Sequence, residues 1–133
     1  MSHPNLEIID RFFAAYGDHD LEALGKVVAE DVQWHFPGRN PLSGTKKGVK
    51  EVVAFFDEMG KYKVRGEQYV SGVNDGAVIE GQRTWSVEEG VDYEMEWCVV
   101  WRFAGGRIVS GTHFCADQYR ADEFFQDRAA ALG

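Results

Sequence analysis

The chain has 133 residues, room for one domain (1–133), and its 44% hydrophobic and 14% aromatic content suffices for a packed core. A formal net charge of -8 excludes the basic footprint that nucleic acid or an anionic membrane surface requires. Basic residues such as Lys46, Lys47 and Lys50 are interleaved with Glu51 and Asp57. Cys98 and Cys115 have neither disulfide-framework nor metal-ligand spacing and sit in apolar strand-like runs, as buried free thiols do. No apolar run is long enough to cross a bilayer, and Met1-Ser2-His3-Pro4 begins no signal peptide, so the expected location is cytoplasmic.

Helices come first. Leu6, Ile9, Phe13 and Tyr16 recur at helical spacing, with Phe12 beside them and Pro4 where a first turn tolerates it. Gly17-Asp18 ends this helix. Asp20 caps a second, whose apolar face is Leu21, Leu24, Val27 and Val28. A short strand, Val32 to Phe36, stops at Pro37-Gly38. The segment Arg39 to Gly48 contains Pro41, Gly44 and Gly48 and is predicted as a loop. A third helix spans Val49 to Met59, with Gly60 as its stop.

From Tyr62 onward the pattern becomes strands between turns. Asn74-Asp75-Gly76, Glu88-Glu89-Gly90 and Ala104-Gly105-Gly106 are hairpin signals. They separate strands Tyr62 to Val73 (kinked at Gly66 or Gly72), Ala77 to Val87, Val91 to Phe103 and Arg107 to Cys115. A last short helix is expected between Arg120 and Leu132. Helices followed by a long antiparallel meander make an α+β architecture: a curved antiparallel or mixed sheet wrapped around the N-terminal helices. A strongly bent sheet around a helix leaves an apolar pocket at its open end, the place for a small hydrophobic organic molecule.

Trp34-His35-Phe36-Pro37-Gly38-Arg39-Asn40-Pro41-Leu42-Ser43-Gly44, then Gly48 and Phe55-Phe56, resembles the SnoaL-like and ketosteroid-isomerase-like branch of the nuclear-transport-factor-two-like superfamily. Asp20-Leu21-Glu22-Ala23-Leu24, Trp101-Arg102-Phe103 and the closing Ala121-Asp122-Glu123-Phe124-Phe125 are similar too. The resemblance implies a cone-shaped domain that pairs through its sheet face into a homodimer. The activities it implies range from isomerase and polyketide cyclase to none. The catalytic aspartate base, oxyanion tyrosine and protonated aspartic acid of true ketosteroid isomerases map onto Phe36, Phe12 and Val99. Hydrocarbon side chains there can neither abstract a proton nor stabilise an enolate, which rules the steroid mechanism out at those places.

Strand alternation points Tyr93, Met95, Trp97, Val99 and Trp101 into the cone, along with Trp34 and Phe36, and turns His35 away. On the last strand His113 and Cys115 point inward, with Asp117 at the rim. His113 suits proton shuttling near neutral pH, and Asp117 beside it is similar to the acid–base pair of SnoaL-type cyclases. An ordinary role stands next to each: a satisfied core histidine, and a helix or turn cap. Tyr16 and Tyr93 can offer hydroxyls in an apolar wall, or be ordinary amphipathic core tyrosines. The strand from Ile79 to Ser86 has two candidate faces. With the even face inward, Glu80 becomes a desolvated carboxylate and a candidate base; with the odd face inward, that surface meets solvent or a subunit. Glu94, Glu96 and Arg102 are expected in cross-strand charge pairs outside. Neither metal nor cofactor is called for: the four histidines are scattered, and no phosphate loop or serine-nucleophile motif occurs. The function this supports is a cofactor-independent isomerase or cyclase, against a non-catalytic binding or dimerisation domain.

Overall fold

A computed structural model describes residues 3–132. The elements run α1 (Pro4–Gly17), α2 (Leu21–Val27), β1 (Val28–Phe36), β2 (Gly44–Lys47), α3 (Gly48–Gly60), β3 (Val64–Val73), β4 (Ala77–Ser86), β5 (Glu94–Ala104), β6 (Arg107–Cys115) and α4 (Gln118–Leu132).

Local chemistry sets the helix starts. The His3 ring nitrogen accepts from Asn5 N at 3.0 Å, and Pro4 occupies the first turn of α1. Asp20 accepts from Ala23 N at 3.0 Å to cap α2. Glu51 accepts from Lys47 N at 2.9 Å, so the first turn of α3 is closed from within. Asp117 caps α4 through Arg120 N at 3.2 Å.

The six strands form one mixed sheet in the order β2-β1-β6-β5-β4-β3, α+β as expected. All neighbours are antiparallel except β1 and β6, which run parallel. α3 packs on β1, α1 lies against α2 and the near end of β4, and the sheet curls round them as a cone. The interior is aromatic: Phe12, Trp34, Phe36, Trp97 and Trp101 are buried with Leu24, Val52 and Val78. Each large side chain removed from water contributes about 1.5–3 kcal/mol before entropy is charged against it. Close packing has a backbone consequence at Gly111, where an added Cβ would lie 2.1 Å from the Trp34 ring.

Several boundaries differ from the sequence expectation. Val28 opens β1 instead of closing α2, and it pairs with Ile108. Gly44–Lys47, predicted as loop, is the edge strand β2; its lysines hide it from apolar alternation while suiting an exposed edge. β5 begins at Glu94 and α4 at Gln118. The irregularity of β3 is a bulge between Gln68 and Val70, not a kink at Gly66 or Gly72. The core face of α1 is Asn5, Ile8, Ile9, Phe12 and Ala15, leaving Phe13 45% exposed at the margin.

β4 resolves its two-faced pattern. Val78 and Glu80 are buried and Gln82 and Thr84 half-buried, whereas Ile79 and Arg83 are exposed. The even face is therefore the inner one. On the outer face Arg83 bridges Glu67 at 3.1 Å and Glu94 at 3.2 Å.

Candidate functional site

Inside the cone, β1, β3, β4, β5 and β6 meet α3 and α4 around a cavity of about 50 Å³. Phe36, Met59, Val64, Trp97 and Phe125 form its apolar walls. Gln82, Thr84 and His113 bring polar atoms to it.

His113 lies among the rings of Trp34, Phe36, Phe55 and Trp97, with centroids 5.1 to 6.0 Å away. Its Nε2 is buried without a hydrogen-bond partner. Burial first, then the nearby His35 and Lys46, push its pKa down to about 3, so the imidazole is neutral across the physiological range. Lys46 is held beside it by the carbonyls of Leu42 and Gly44, and its own burial lowers its pKa.

The polar face of β4 is a hydrogen-bonded chain. Trp97 Nε1 donates to Thr84 Oγ1 at 3.1 Å, and Thr84 Oγ1 donates to Met95 O at 3.4 Å. Trp101 Nε1 donates to Glu80 Oε1 at 2.6 Å, and Gln82 Nε2 approaches the same oxygen at 3.4 Å. Burial raises the Glu80 pKa against those two hydrogen bonds, and the charge of Asp10 adds to the rise. In register Glu80 stands opposite Val99. Larger hollows are open grooves at the surface: about 390 Å³ between α1 and α2, and about 310 Å³ on the outer sheet beside Tyr69 and Phe114. Neither includes His113. Among the described residues no three His, Cys, Asp or Glu side chains are grouped to hold a metal ion, and no helix is long and apolar enough to cross a membrane.

A sequence profile for the SnoaL-like domain matches residues 9–111. The chain belongs to the SnoaL-like family. Rv0034 of Mycobacterium tuberculosis is 31% identical over 126 residues, covering 91% of this SnoaL-like chain and 95% of the relative. Bal32a, from a soil-derived mobile gene cassette, superposes with a TM-score of 0.76 at 28% identity, over 92% of this chain and 96% of that one. An NTF2-like protein of Burkholderia xenovorans shares the fold with a TM-score of 0.76 at 22% identity, over 94% and 98% of the two chains.

Of the site residues expected from the sequence, the SnoaL-like cone brings Phe36, Trp97 and His113 to the cavity. Trp34, Met95, Val99 and Trp101 are buried in the surrounding core, and Glu80 is buried against Trp101. Tyr93 is stacked on Phe124 at 3.7 Å, and its buried hydroxyl lies near Thr84 and Trp97 without an aligned hydrogen bond; burial raises its pKa. Tyr16 does not line the cavity. It donates to Asp57 at 2.7 Å on the α1–α3 surface, and burial, then that carboxylate, push its pKa up to about 12. Asp117 is exposed and spent on the α4 backbone, with no hydrogen bond to His113. Cys115 is half-buried; its thiol donates to Asp117 O at 3.5 Å, and burial raises its pKa.

Met59, Val64, Gln82, Thr84 and Phe125 line the cavity without having been singled out. Gln82 and Thr84 share the even positions of β4 with Glu80, the one available signal. Met59, Val64 and Phe125 arrive from three separate elements, and only the closed cone assembles them.

Proposed function

We propose that this chain binds a small hydrophobic organic molecule in the cone and acts on it as a cofactor-independent isomerase or cyclase. His113 is the group that meets the reacting end of the substrate. The observation that carries the reading is an imidazole buried in an aromatic wall, its Nε2 unpartnered at a cavity. A buried polar atom without a partner is costly, and function is a common reason for it to persist. A neutral imidazole can donate to a carbonyl oxygen or accept from a hydroxyl, and dry surroundings strengthen either contact. Because burial resists a charged ring, proton uptake by His113 is coupled to a substrate that develops negative charge, as an enolate does. Asp117 serves as a positioning residue: it starts α4, the helix that carries Phe125 to the cavity.

The test is exchange of the α-protons of butanone in heavy water, followed by NMR. The chain should accelerate exchange, by roughly 10²-fold or more for a positioned acid–base group, and His113→Phe should abolish the acceleration. Equal rates for the two proteins would end the catalytic reading.

The outer sheet face favours a second reading, assembly with another copy of the chain. Tyr69, Ile79 and Phe114 are 56%, 48% and 51% exposed there, and Trp85 lies under the Arg83 guanidinium at 5.6 Å. Exposed apolar clusters of this kind mark interaction surfaces. Light scattering at micromolar concentration should give the mass of a homodimer; a monomer mass ends this reading.

A further inference from the structure

What can enter the cavity is limited by three features of its wall. First, none of the lining residues is Asp, Glu, Lys or Arg. Second, most of the polar atoms are already engaged. Thr84 Oγ1 is bonded to Trp97 and to the Met95 carbonyl, and Gln82 turns its Nε2 to Glu80. His113 Nε2 is buried and unpartnered, and Gln82, which lines the cavity, has its Oε1 outside the bond to Glu80; these are the atoms we assign to a ligand. Third, the cavity is small, about 50 Å³.

We propose that the cavity admits an uncharged, oxygen-bearing fragment of about four or five heavy atoms, either a ketone held by His113 Nε2 or an alcohol held between His113 Nε2 and Gln82 Oε1. It rejects carboxylates and amines of the same size. This inference rests on His113 facing the ligand, and it names the chemical class of the group that reaches it.

The selectivity follows from desolvation. A carboxylate needs a cation in the wall, and His113 cannot become one cheaply among four aromatic rings with Lys46 and His35 close by. An ammonium needs an anion. The nearest buried carboxyl, Glu80, is occupied by the Trp101 indole and the Gln82 amide. A ketone oxygen accepts from the imidazole N–H, and a hydroxyl can bond both His113 and Gln82. A hydrocarbon of equal size fits the volume but leaves both atoms unpaired, which a polar site penalises strongly.

The experiment uses the full isotope-labelled chain with four probes of similar size: butanone, isobutanol, propionate and propylamine at pH 7. Butanone and isobutanol should shift the His113 imidazole and Trp97 indole resonances saturably. Propionate and propylammonium should bind at least tenfold more weakly. His113→Phe should weaken both neutral probes about fivefold, the loss of one net hydrogen bond, whereas Gln82→Leu should weaken isobutanol by that factor and leave butanone unchanged. If either variant fails to fold, the comparison of four probes on the unaltered chain decides alone. Charged probes shifting His113 as strongly as the neutral ones, or no neutral probe shifting it, would overturn the inference. The exchange test is separate: butanone bound without α-proton exchange ends the catalytic reading and leaves this inference standing.

Discussion

Asn40, on the loop after β1, donates its side-chain amide to Asp122 Oδ1 on α4 at 2.8 Å, joining positions 82 apart in the chain. The same oxygen accepts from Arg39 N at 3.0 Å and from Gln118 Nε2 at 2.9 Å. Three donors on one oxygen fasten α4 across the cone. Gln126 to the Arg39 carbonyl and Arg128 to Glu88 add anchors along the same helix. Phe125 lies one turn beyond Asp122, so this fastening also completes the cavity wall.

Asp122→Ala should therefore destabilise the fold by about 2 kcal/mol at pH 7, the cost of unpairing hydrogen bonds to a charged group. Burial opposes ionisation of Asp122, but the bonds from Asn40, Gln118 and Arg39 hold its pKa below the ordinary value. A depressed carboxylate stabilises above its unfolded pKa and loses that contribution as pH falls through the folded one. Urea unfolding at pH 7 and pH 3 should show the gap between variant and parent narrowing in acid. A gap of constant size would disprove the role assigned to the carboxylate.

How far the sequence carries can be read strand by strand. β5 was legible because its odd positions from Met95 to Phe103 are apolar and its even positions largely polar, and the odd set is the buried one. β4 was not, because its inner face carries Glu80, Gln82 and Thr84; tryptophans on β5 bond Glu80 and Thr84, and sequence spacing does not reveal those partners. β2 escaped notice because an edge strand of glycine, threonine and two lysines carries no apolar alternation. His113 could be picked out by its direction on β6. Its pairing with Asp117 could not be judged, since that depends on the backbone leaving β6 at Cys115 and turning into α4. The polar side of the cavity was thus open in the sequence, and the cone closed it.

Glu80 gives the opposite sign to Asp122. Its pKa is raised by burial, so the folded chain prefers the protonated acid. That preference stabilises fully below the unfolded value and is lost as pH rises through the folded one. Glu80→Gln keeps an acceptor for Trp101 Nε1 and removes the buried charge. The variant should unfold at higher urea than the parent at pH 8, by about 1 kcal/mol, and the advantage should shrink at pH 4. A variant less stable at pH 8 would mean that the charge is better compensated than this geometry allows.

His113 should make the fold acid-sensitive in a defined window. Its folded pKa of about 3 lies below the ordinary histidine value of about 6.5, so the unfolded chain takes up the proton first. Stability attributable to this group is present above about 6.5 and is lost as pH falls toward 3, at up to about 1.4 kcal/mol per pH unit. His113→Phe removes that slope. The parent's unfolding free energy should drop between pH 6 and pH 4 more steeply than the variant's, and the His113 ring in the folded parent should show no NMR titration there. A His113 titration midpoint near 6.5 would contradict the burial that the proposed chemistry depends on.

Gly111 tests the packing behind His113. On β6 it lies two residues before the histidine, pairs with Trp34 on β1 and Trp101 on β5, and has the Trp34 ring against the face where a Cβ would project. A methyl group 2.1 Å from that ring cannot be absorbed by a rotamer change, because Trp34 is buried between Phe12, Trp101 and Phe56. Overpacking of this kind costs about 1–3 kcal/mol or more. Gly111→Ala should lower the unfolding midpoint and also shift the His113 ring resonances, because Trp34 and His113 are in edge contact at 5.6 Å. Gly17→Ala, at the end of α1 where an added Cβ meets nothing within 4 Å, is the matched control and should leave those resonances in place. If Gly111→Ala is as stable as the parent and leaves His113 undisturbed, Trp34 does not hold the imidazole, and the rigidity of the cavity wall must come from Phe36 and Trp97 instead.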